Sequence, residues 1–550
     1  MALVGAPNNA TSTAVHLKSC FFLAYFPSFS NQGTFLDALF HNMVSWMSLP
    51  VEIWVEIATL LPSSDLVDLV STCSLLTSIS RPILYRDLKL ATTFEVEPNL
   101  AAAETFSLLA RDAELARNVR SLTLDGAEEE VFDVNYAAIL VHVPSLRNMS
   151  QLKTLRIIGH IFYYAEEDAK ADFIEALQCL RIEELSLQYE GGCLEMFSVD
   201  QVGQISNLKR FECRSEIDLL GKYPLTIVLA IAADPRALEF FEPRCLHLLA
   251  NSASTLTALS LSVMYIGSEW TSELFDMRFP LLQSLTLGTW EEEMHTPEGL
   301  HAFLLAHNTS LEHLDMGYTS RRRIHTAALI FNEDDALPVH FLPHLKSFNG
   351  HCKTVQAMAQ AGMQSLTGSL ATLTIGVCNI QDPKSEIDQM LDAIQAMPSA
   401  LGALKELGFD FFENAEGERE WIPGFIRRWG QICGPSLEVW RGMFPFVWSW
   451  SPEELAGFFD AFSKLRVLSI ANDSTVLGVF PQGGNEESED EGDAQKPLSM
   501  PDFEEYLCQL ARKCGALEEV RLAHGHRDSC WKIERGPGAR LVVRQALDSD

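Results

Sequence analysis

The chain has 550 residues, with 41 Lys and Arg against 74 Asp and Glu, a net charge of −33 and 47% hydrophobic residues. This composition is that of a globular chain and excludes a disordered one. The acidity opposes a general affinity for nucleic acid or anionic membrane, because counterion release needs Lys and Arg opposite phosphates.

At about 150 residues per domain, the length allows three or four units or one long repeat array. Twelve cysteines without a CxxC pair suggest neither a disulfide scaffold nor a zinc ribbon. Buried, reduced thiols in a cytoplasmic or nuclear protein are expected. The longest apolar run near the start, Cys20 to Phe26, is far shorter than the roughly 20 residues of a membrane span. Lys18 as the sole nearby base fits a signal peptide poorly.

Residues 1–45 are rich in Asn, Ser, Thr and Ala, show no sustained periodicity and read as a flexible tail. The first patterned segment runs from Ser48 to Leu90. Leu49, Ile53, Ile57, Leu60 and Leu61 recur at helical spacing behind Pro50. Pro62 ends that helix, and Ser63, Ser64 and Asp65 offer caps for a second helix bearing Leu66, Leu69, Val70, Cys73 and Leu76. A third short element reaches Pro82, and LYRDLKL reads as extended chain leaving the bundle. Some forty residues in three helices cannot hide this much aliphatic surface alone, so part of it must dock elsewhere.

These residues resemble the F-box. Leu49-Pro50, Glu52-Ile53, Ile57, Leu60-Leu61, Asp65-Leu66, Leu69, Cys73 and Leu84-Tyr85-Arg86 match its anchor positions in order and spacing over about 45 residues. The resemblance implies docking to a Skp-family adaptor, which joins F-box proteins to a cullin–RING ubiquitin ligase. The adaptor-binding residues it implies are Leu49, Pro50, Ile53, Ile57, Leu60, Leu61, Leu66, Leu69 and Cys73. The competing reading makes the same leucines an ordinary helical cap on the following domain.

Beyond residue 90 a strand-like LxxLxL phrase recurs. It starts at Val119, Leu152, Ile182, Leu208, Leu256, Leu282, Leu311, Leu345, Leu370, Leu404, Leu437, Leu465 and Leu517. Ten of the twelve intervals lie between 25 and 34 residues, the interval of one strand plus one helix. The intervening segments, such as EIDQMLDAIQAMPSA and DFEEYLCQLARKCGA, carry apolar residues at three- and four-residue spacing. Such alternation is the signature of a solenoid, and it resembles the leucine-rich repeat family.

The expected fold class is therefore α/β. Residues 46–90 form a three-helix F-box, and 91–550 an irregular leucine-rich repeat solenoid with a parallel sheet on its concave face. The family's Asn or Cys nine positions into each repeat is mostly replaced, by Ala127, His160, Glu190, Thr319 and Phe412, with Cys378 fitting; irregular repeats should follow. A doubly wound α/β domain is the rival architecture. Glu486, Glu487, Glu489, Asp490, Glu491 and Asp493 around Ser488 make an acidic stretch, about 483–497, that should be a solvated loop. Ser488 also fits a phosphorylation site for an acid-directed kinase.

Catalytic motifs are absent: there is no P-loop, GxGxxG after a strand, HExxH, GxSxG or EF-hand loop. His524, His526 and Cys530 lack a fourth zinc ligand and read as a surface turn, and His351-Cys352 reads as a strand end. No catalytic residue, metal or cofactor is expected. The run Arg321, Arg322, Arg323 is either an exposed loop tip or a reader of an acidic or phosphorylated partner.

The residues between the last two anchors of each phrase should line the inner face. Among them Arg156, Glu212, Asp315, Asn349, Arg441 and Arg521 are, with the arginine run, the candidate target-binding residues. The reading that follows is a substrate-recognition subunit of an SCF-type ubiquitin ligase. Its alternatives are a scaffold that assembles complexes without ubiquitination, and a hydrolase or transferase in an irregular α/β fold.

Overall fold

A computed structural model describes residues 49–91, 96–125, 143–158, 167–188, 204–215, 245–263, 268–288, 299–316, 340–376, 383–397, 399–410, 421–443, 450–472, 500–524, 527–535 and 541–546. They divide into two compact units. The first holds the described residues through Ser215 together with 245 to Thr255; the second holds those from Leu256 onward.

The first unit begins with three helices, α1 (Val51–Thr59), α2 (Ser63–Thr72) and α3 (Ser74–Leu84). Prolines precede the first two. The Pro50 carbonyl accepts from Ile53 and Trp54, and that of Pro62 from Asp65 and Leu66. Ser63 and Ser64 lie inside α2 and its N-cap is Pro62, without the expected side-chain cap. Cys73 is the extended joint between α2 and α3, pinned by the Thr77 hydroxyl between the carbonyls of Val70 (2.6 Å) and Cys73 (2.9 Å). Trp54, Ala58, Leu66 and Ile79 form the core of this bundle, with Ile57, Leu61, Leu69, Leu75, Leu76, Ile83 and Leu84 packed around it.

LYRDLKL does not merely leave the bundle. Asp87–Ala91 is β1, which pairs in parallel with β2 (Ser121–Asp125) and sets Leu88 beside Leu122 and Leu90 beside Leu124. Buried Tyr85 then takes the place of Val119, so the array starts before residue 90 and shares this segment with the three-helix bundle. Arg81 on α3 also reaches Asp112 of the first repeat at 3.3 Å. Strands β3 (Thr154–Ile158), β4 (Glu184–Gln188) and β5 (Arg210–Ser215) continue the parallel sheet in chain order.

The second unit carries β6 (Ala258–Val263), β7 (Ser284–Gly288), β8 (His313–Asp315), β9 (Ser347–His351), β10 (Thr372–Gly376), β11 (Glu406–Asp410), β12 (Val439–Met443), β13 (Val467–Asn472) and β14 (Glu519–His524), parallel and again in chain order. Every one of the thirteen phrases contains one of these strands. Order without reversal removes the doubly wound alternative, which needs a switch point.

Two devices keep the repeats in step. Anchor side chains stack in register: Leu122, Leu155, Leu185 and Phe211 in the first unit; Leu285, Leu314, Phe348, Leu373, Leu407, Trp440, Leu468 and Val520 in the second. Each such buried side chain contributes roughly 1.5–3 kcal/mol. Within each unit, one carbonyl ahead of a parallel strand accepts two N–H groups of the next repeat. Arg120 receives Lys153 (2.8 Å) and Thr154 (3.0 Å); Lys346 receives Ala371 (2.8 Å) and Thr372 (3.0 Å). Ala127, His160, Glu190, Thr319, Cys378 and Phe412, the ladder positions named from the sequence, lie outside the described residues.

Where an anchor is oversized, its neighbour shrinks. A Cβ on Gly350 would lie 2.6 Å from the Phe348 ring, and one on Gly442 2.7 Å from the Trp440 indole. One aromatic ring thus fills the space that two aliphatic anchors occupy in other repeats.

The C-terminal end is not anticipated by the repeat pattern. β15 (Arg527–Arg535) and β16 (Leu541–Ala546) add antiparallel to β14, with buried Trp531 opposite Val520. The hairpin covers the edge of β14, which would otherwise present unpaired backbone groups. Arg535 fastens it by donating to the carbonyls of Ala511 (3.2 Å), in the last turn of the preceding helix Met500–Lys513, and of Cys514 (3.2 Å) and Leu517 (2.9 Å) just beyond it.

Candidate functional site

Helix α1 turns Trp54 and Ala58 into the bundle core, and that choice decides which side chains remain outside. Exposed are Leu49, Val51 (49%), Ile53 (39%), Val55 (39%) and Leu60 (82%). Of the seven large hydrophobics exposed among the described residues, these five fall within twelve positions; the other two, Leu281 and Leu305, are far away in sequence. Scattered exposed aliphatics are ordinary; here three of the five lie on α1 and two flank it.

The implied adaptor-binding set separates into three groups. Leu49, Pro50, Ile53 and Leu60 are exposed, whereas Ile57, Leu61, Leu69 and Cys73 are half-buried. Leu66, 4% exposed, belongs to the bundle's own core and offers no surface, which corrects its assignment to the interface. Sequence reasoning missed Val51 and Val55, whose four-residue spacing on α1 was the available signal.

The residues between strand anchors do fall into rows. Thr123, Arg156, Ser186 and Glu212 are register partners in the first unit. Ser260, Thr286, Asp315, Asn349, Thr374, Gly408, Arg441, Ser469 and Arg521 are so in the second. Within these rows most candidate target-binding side chains have partners in the same chain. Glu212 accepts from Ser186 (3.0 Å), Asp315 from Asn349 (2.9 Å), Arg441 pairs with Glu406 (2.9 Å) and Arg521 with Glu519. Arg156 is exposed and has no partner among the described residues. Arg321, Arg322, Arg323 and Ser488 lie outside the described residues.

A second charged row runs along the carbonyl steps. Glu183 sits between Lys153 (2.8 Å) and Lys209 (2.7 Å), whose hydrogen bonds hold its carboxyl below the usual range. Glu312 takes Lys346 (2.6 Å), and Arg466 takes Glu518 (2.7 Å). Exposed pairs of this kind are screened by solvent and add little to stability.

One group of potential metal ligands comes together among the described residues: His351, Cys352 and Glu386. The Cys352 Sγ lies 3.6 Å from Glu386 Oε2, and His351 Nε2 lies 3.9 Å from the same oxygen. The imidazole lone pair is already taken, because Nδ1 accepts the Lys353 backbone N–H at 3.0 Å. That bond leaves the ring proton on Nε2, facing Glu386, while the Lys353 ammonium lies 3.3 Å from Oε1. The cluster is a buried hydrogen-bonded lock between neighbouring repeats. Burial, with Lys353 nearby, pushes the His351 imidazole down to about 4.

His524 and Cys530 stand on paired strands, where Cys530 faces Arg521 and His524 faces Arg527. Three registers, about 10 Å at 3.4 Å per residue, separate their backbones. His526 is outside the described residues. No helix among the described residues is long and apolar enough to cross a membrane.

No family model and no curated protein matches the sequence. Among solved structures, the leucine-rich repeat-containing protein LegL7 from Legionella pneumophila is similar at 12% identity, with 70% of this chain and 91% of that one covered and a TM-score of 0.31. The Rad7 and Elc1 complex of yeast is similar at 13% identity, with 75% and 93% covered and a TM-score of 0.31. At these values the repeat architecture stands on strand order and register within this chain.

Proposed function

We propose that this protein is a non-catalytic substrate-recognition subunit of an SCF-type ubiquitin ligase, working in the cytoplasm, the nucleus or both. In this reading the exposed flank Leu49, Pro50, Ile53 and Leu60 docks on a Skp-family adaptor. The strand face of the repeats holds a protein target, and the contribution to catalysis is proximity, a raised local concentration of target beside the transfer enzyme. The observation that supports it is the concentration of exposed aliphatic side chains on α1 and at its two ends, outside the core of Trp54, Ala58, Leu66 and Ile79.

The adaptor test pairs Ile53→Asp with Leu60→Asp. Both side chains are exposed, so the repeat domain should keep its melting temperature while co-purification with the adaptor falls by at least tenfold. Undiminished capture by the double variant would refute the docking surface. Ubiquitination of captured proteins, measured with and without cullin inhibition, separates a substrate receptor from a scaffold that only assembles complexes.

A further inference from the structure

The residues whose carbonyls make the steps between repeats form a lateral row in each unit, because each donates its own N–H to the same position of the repeat before. In the second unit charged neighbours along the row are opposite in sign. Glu312 precedes Lys346 at 2.6 Å, and Arg466 stands between Glu438 (3.9 Å) and Glu518 (2.7 Å). The first unit's row reads Arg86, Arg120, Lys153, Glu183 and Lys209. Its last three alternate in the same way, but its first three are all cations. Among the described residues this is the one place where like charges are neighbours in either row, and it occurs in a chain of net charge −33.

Backbone hydrogen bonds hold the three cations side by side. The Arg86 carbonyl accepts from Arg120 (2.8 Å) and Ser121 (3.1 Å), and the Arg120 carbonyl from Lys153 (2.8 Å) and Thr154 (3.0 Å). Successive steps are therefore about 4.8 Å apart, the spacing of neighbouring strands. All three side chains are exposed. Arg86 has Asp87 at 3.8 Å, and Lys153 shares Glu183 with Lys209. Arg120, in the middle, has no hydrogen-bond or ion-pair partner among the described residues, and neither have the hydroxyls of Ser121 and Thr154 beside it. Like charges held this close repel one another, and an anion placed between them removes the repulsion.

We propose that Arg86, Arg120 and Lys153 form a docking strip for an acidic peptide segment of a partner protein, whose Asp or Glu carboxylates seat in the two gaps between the cations. The neighbouring steps show the mode within this chain, for the Glu183 carboxylate lies between Lys153 (2.8 Å) and Lys209 (2.7 Å). A free guanidinium fork such as that of Arg120 matches a carboxylate with two parallel hydrogen bonds. An extended segment presents alternate side chains about 7 Å apart on one face, which long flexible cations can meet across gaps about 5 Å apart. Ser121 and Thr154 add hydroxyl donors beside the gaps. The strip lies at the ends of β1, β2 and β3 and not on α1, so this reading and the adaptor reading can each fail alone.

Fluorescence anisotropy on the full chain tests it, with a labelled peptide of alternating Gly and Glu and its Gly-Gln counterpart. At low salt the Glu peptide should bind at least about tenfold more tightly than the Gln peptide, and added salt should weaken it. Arg120→Gln should weaken the Glu peptide about fivefold or more, and Arg86→Gln, the second variant, should act in the same direction. Both side chains are exposed, so the melting temperature should not change. Lys405→Gln removes an exposed cation from the second unit's row and should leave the affinity within about twofold. Equal binding of the two peptides, or a loss in Lys405→Gln matching that in Arg120→Gln, would overturn the proposal. A phosphoserine peptide bound at least about tenfold more tightly than the Glu peptide would assign the strip to phosphate and overturn it too. So would single-stranded RNA that displaces the Glu peptide at lower concentration, since a nucleic acid would then be the occupant.

Discussion

Trp440 and Gly442 hold one anchor volume between them, and so do Phe348 and Gly350. In both pairs the motif's third apolar position is missing, and the ring explains why: it has already entered that space. Gly442→Ala should cost about 1–3 kcal/mol by overpacking. The cost should shrink when Trp440→Leu is made alongside, and a double-mutant cycle on melting temperature reads the coupling. Independent, additive effects would show that the ring does not occupy the glycine's space. The lock at His351 gives a pH signature. Its folded imidazole titrates at about 4, below the ordinary His value, so the unfolded chain binds the extra proton first. Stability should be complete above pH 6.5 and fall as pH drops from 6.5 towards 4, by at most about 3 kcal/mol. His351→Gln should flatten that slope in urea titrations across the same window. Glu386, Cys352 and Lys353 surround this ring, and none of the sequence motifs joined Glu386 to it.

At the scale of elements, α1 divides its side chains between two tasks that the linear pattern does not separate. Trp54→Ala or Leu66→Ala should destabilise the helical unit by about 2–5 kcal/mol, the cost of a cavity in a small core. Ile53→Asp with Leu60→Asp should change melting by no more than about 0.5 kcal/mol, because these residues are exposed. A thermal denaturation series on the four substitutions distinguishes core from surface. Equal destabilisation throughout would show the bundle already using its whole aliphatic set. Leu61→Asp is the wrong probe for docking, since Leu61 packs on the core and its loss would confuse unfolding with lost binding.

For the whole molecule, the repeats present an array whose last strand needs a cover. Ending the chain after His524 removes β15 and β16 and bares the edge of β14 along with the surface under Trp531. Concentration-dependent association in light scattering is the expected outcome; a monomeric truncation would show that the hairpin does not guard the edge. The thirteen strands and their register were legible because alternation of apolar anchors is a local property, written within six residues at a time. The C-terminal hairpin was not legible, since its strands obey no repeat and Trp531 and Arg535 become structural only against the preceding helix and β14.

The amino-acid order alone determined that strands recur about every thirty residues, which side chains face inward and which residues form each outward row. Tertiary structure decided what those residues are free to do. Arg441 and Arg521 met Glu406 and Glu519 on the same face, and Leu66 went into a core while Leu60 stayed out. His351 and Cys352 found a carboxylate on the next repeat's helix. Burial and charge pairing depend on neighbours tens of residues away, and a periodic pattern carries no information about which of its repeats will supply them.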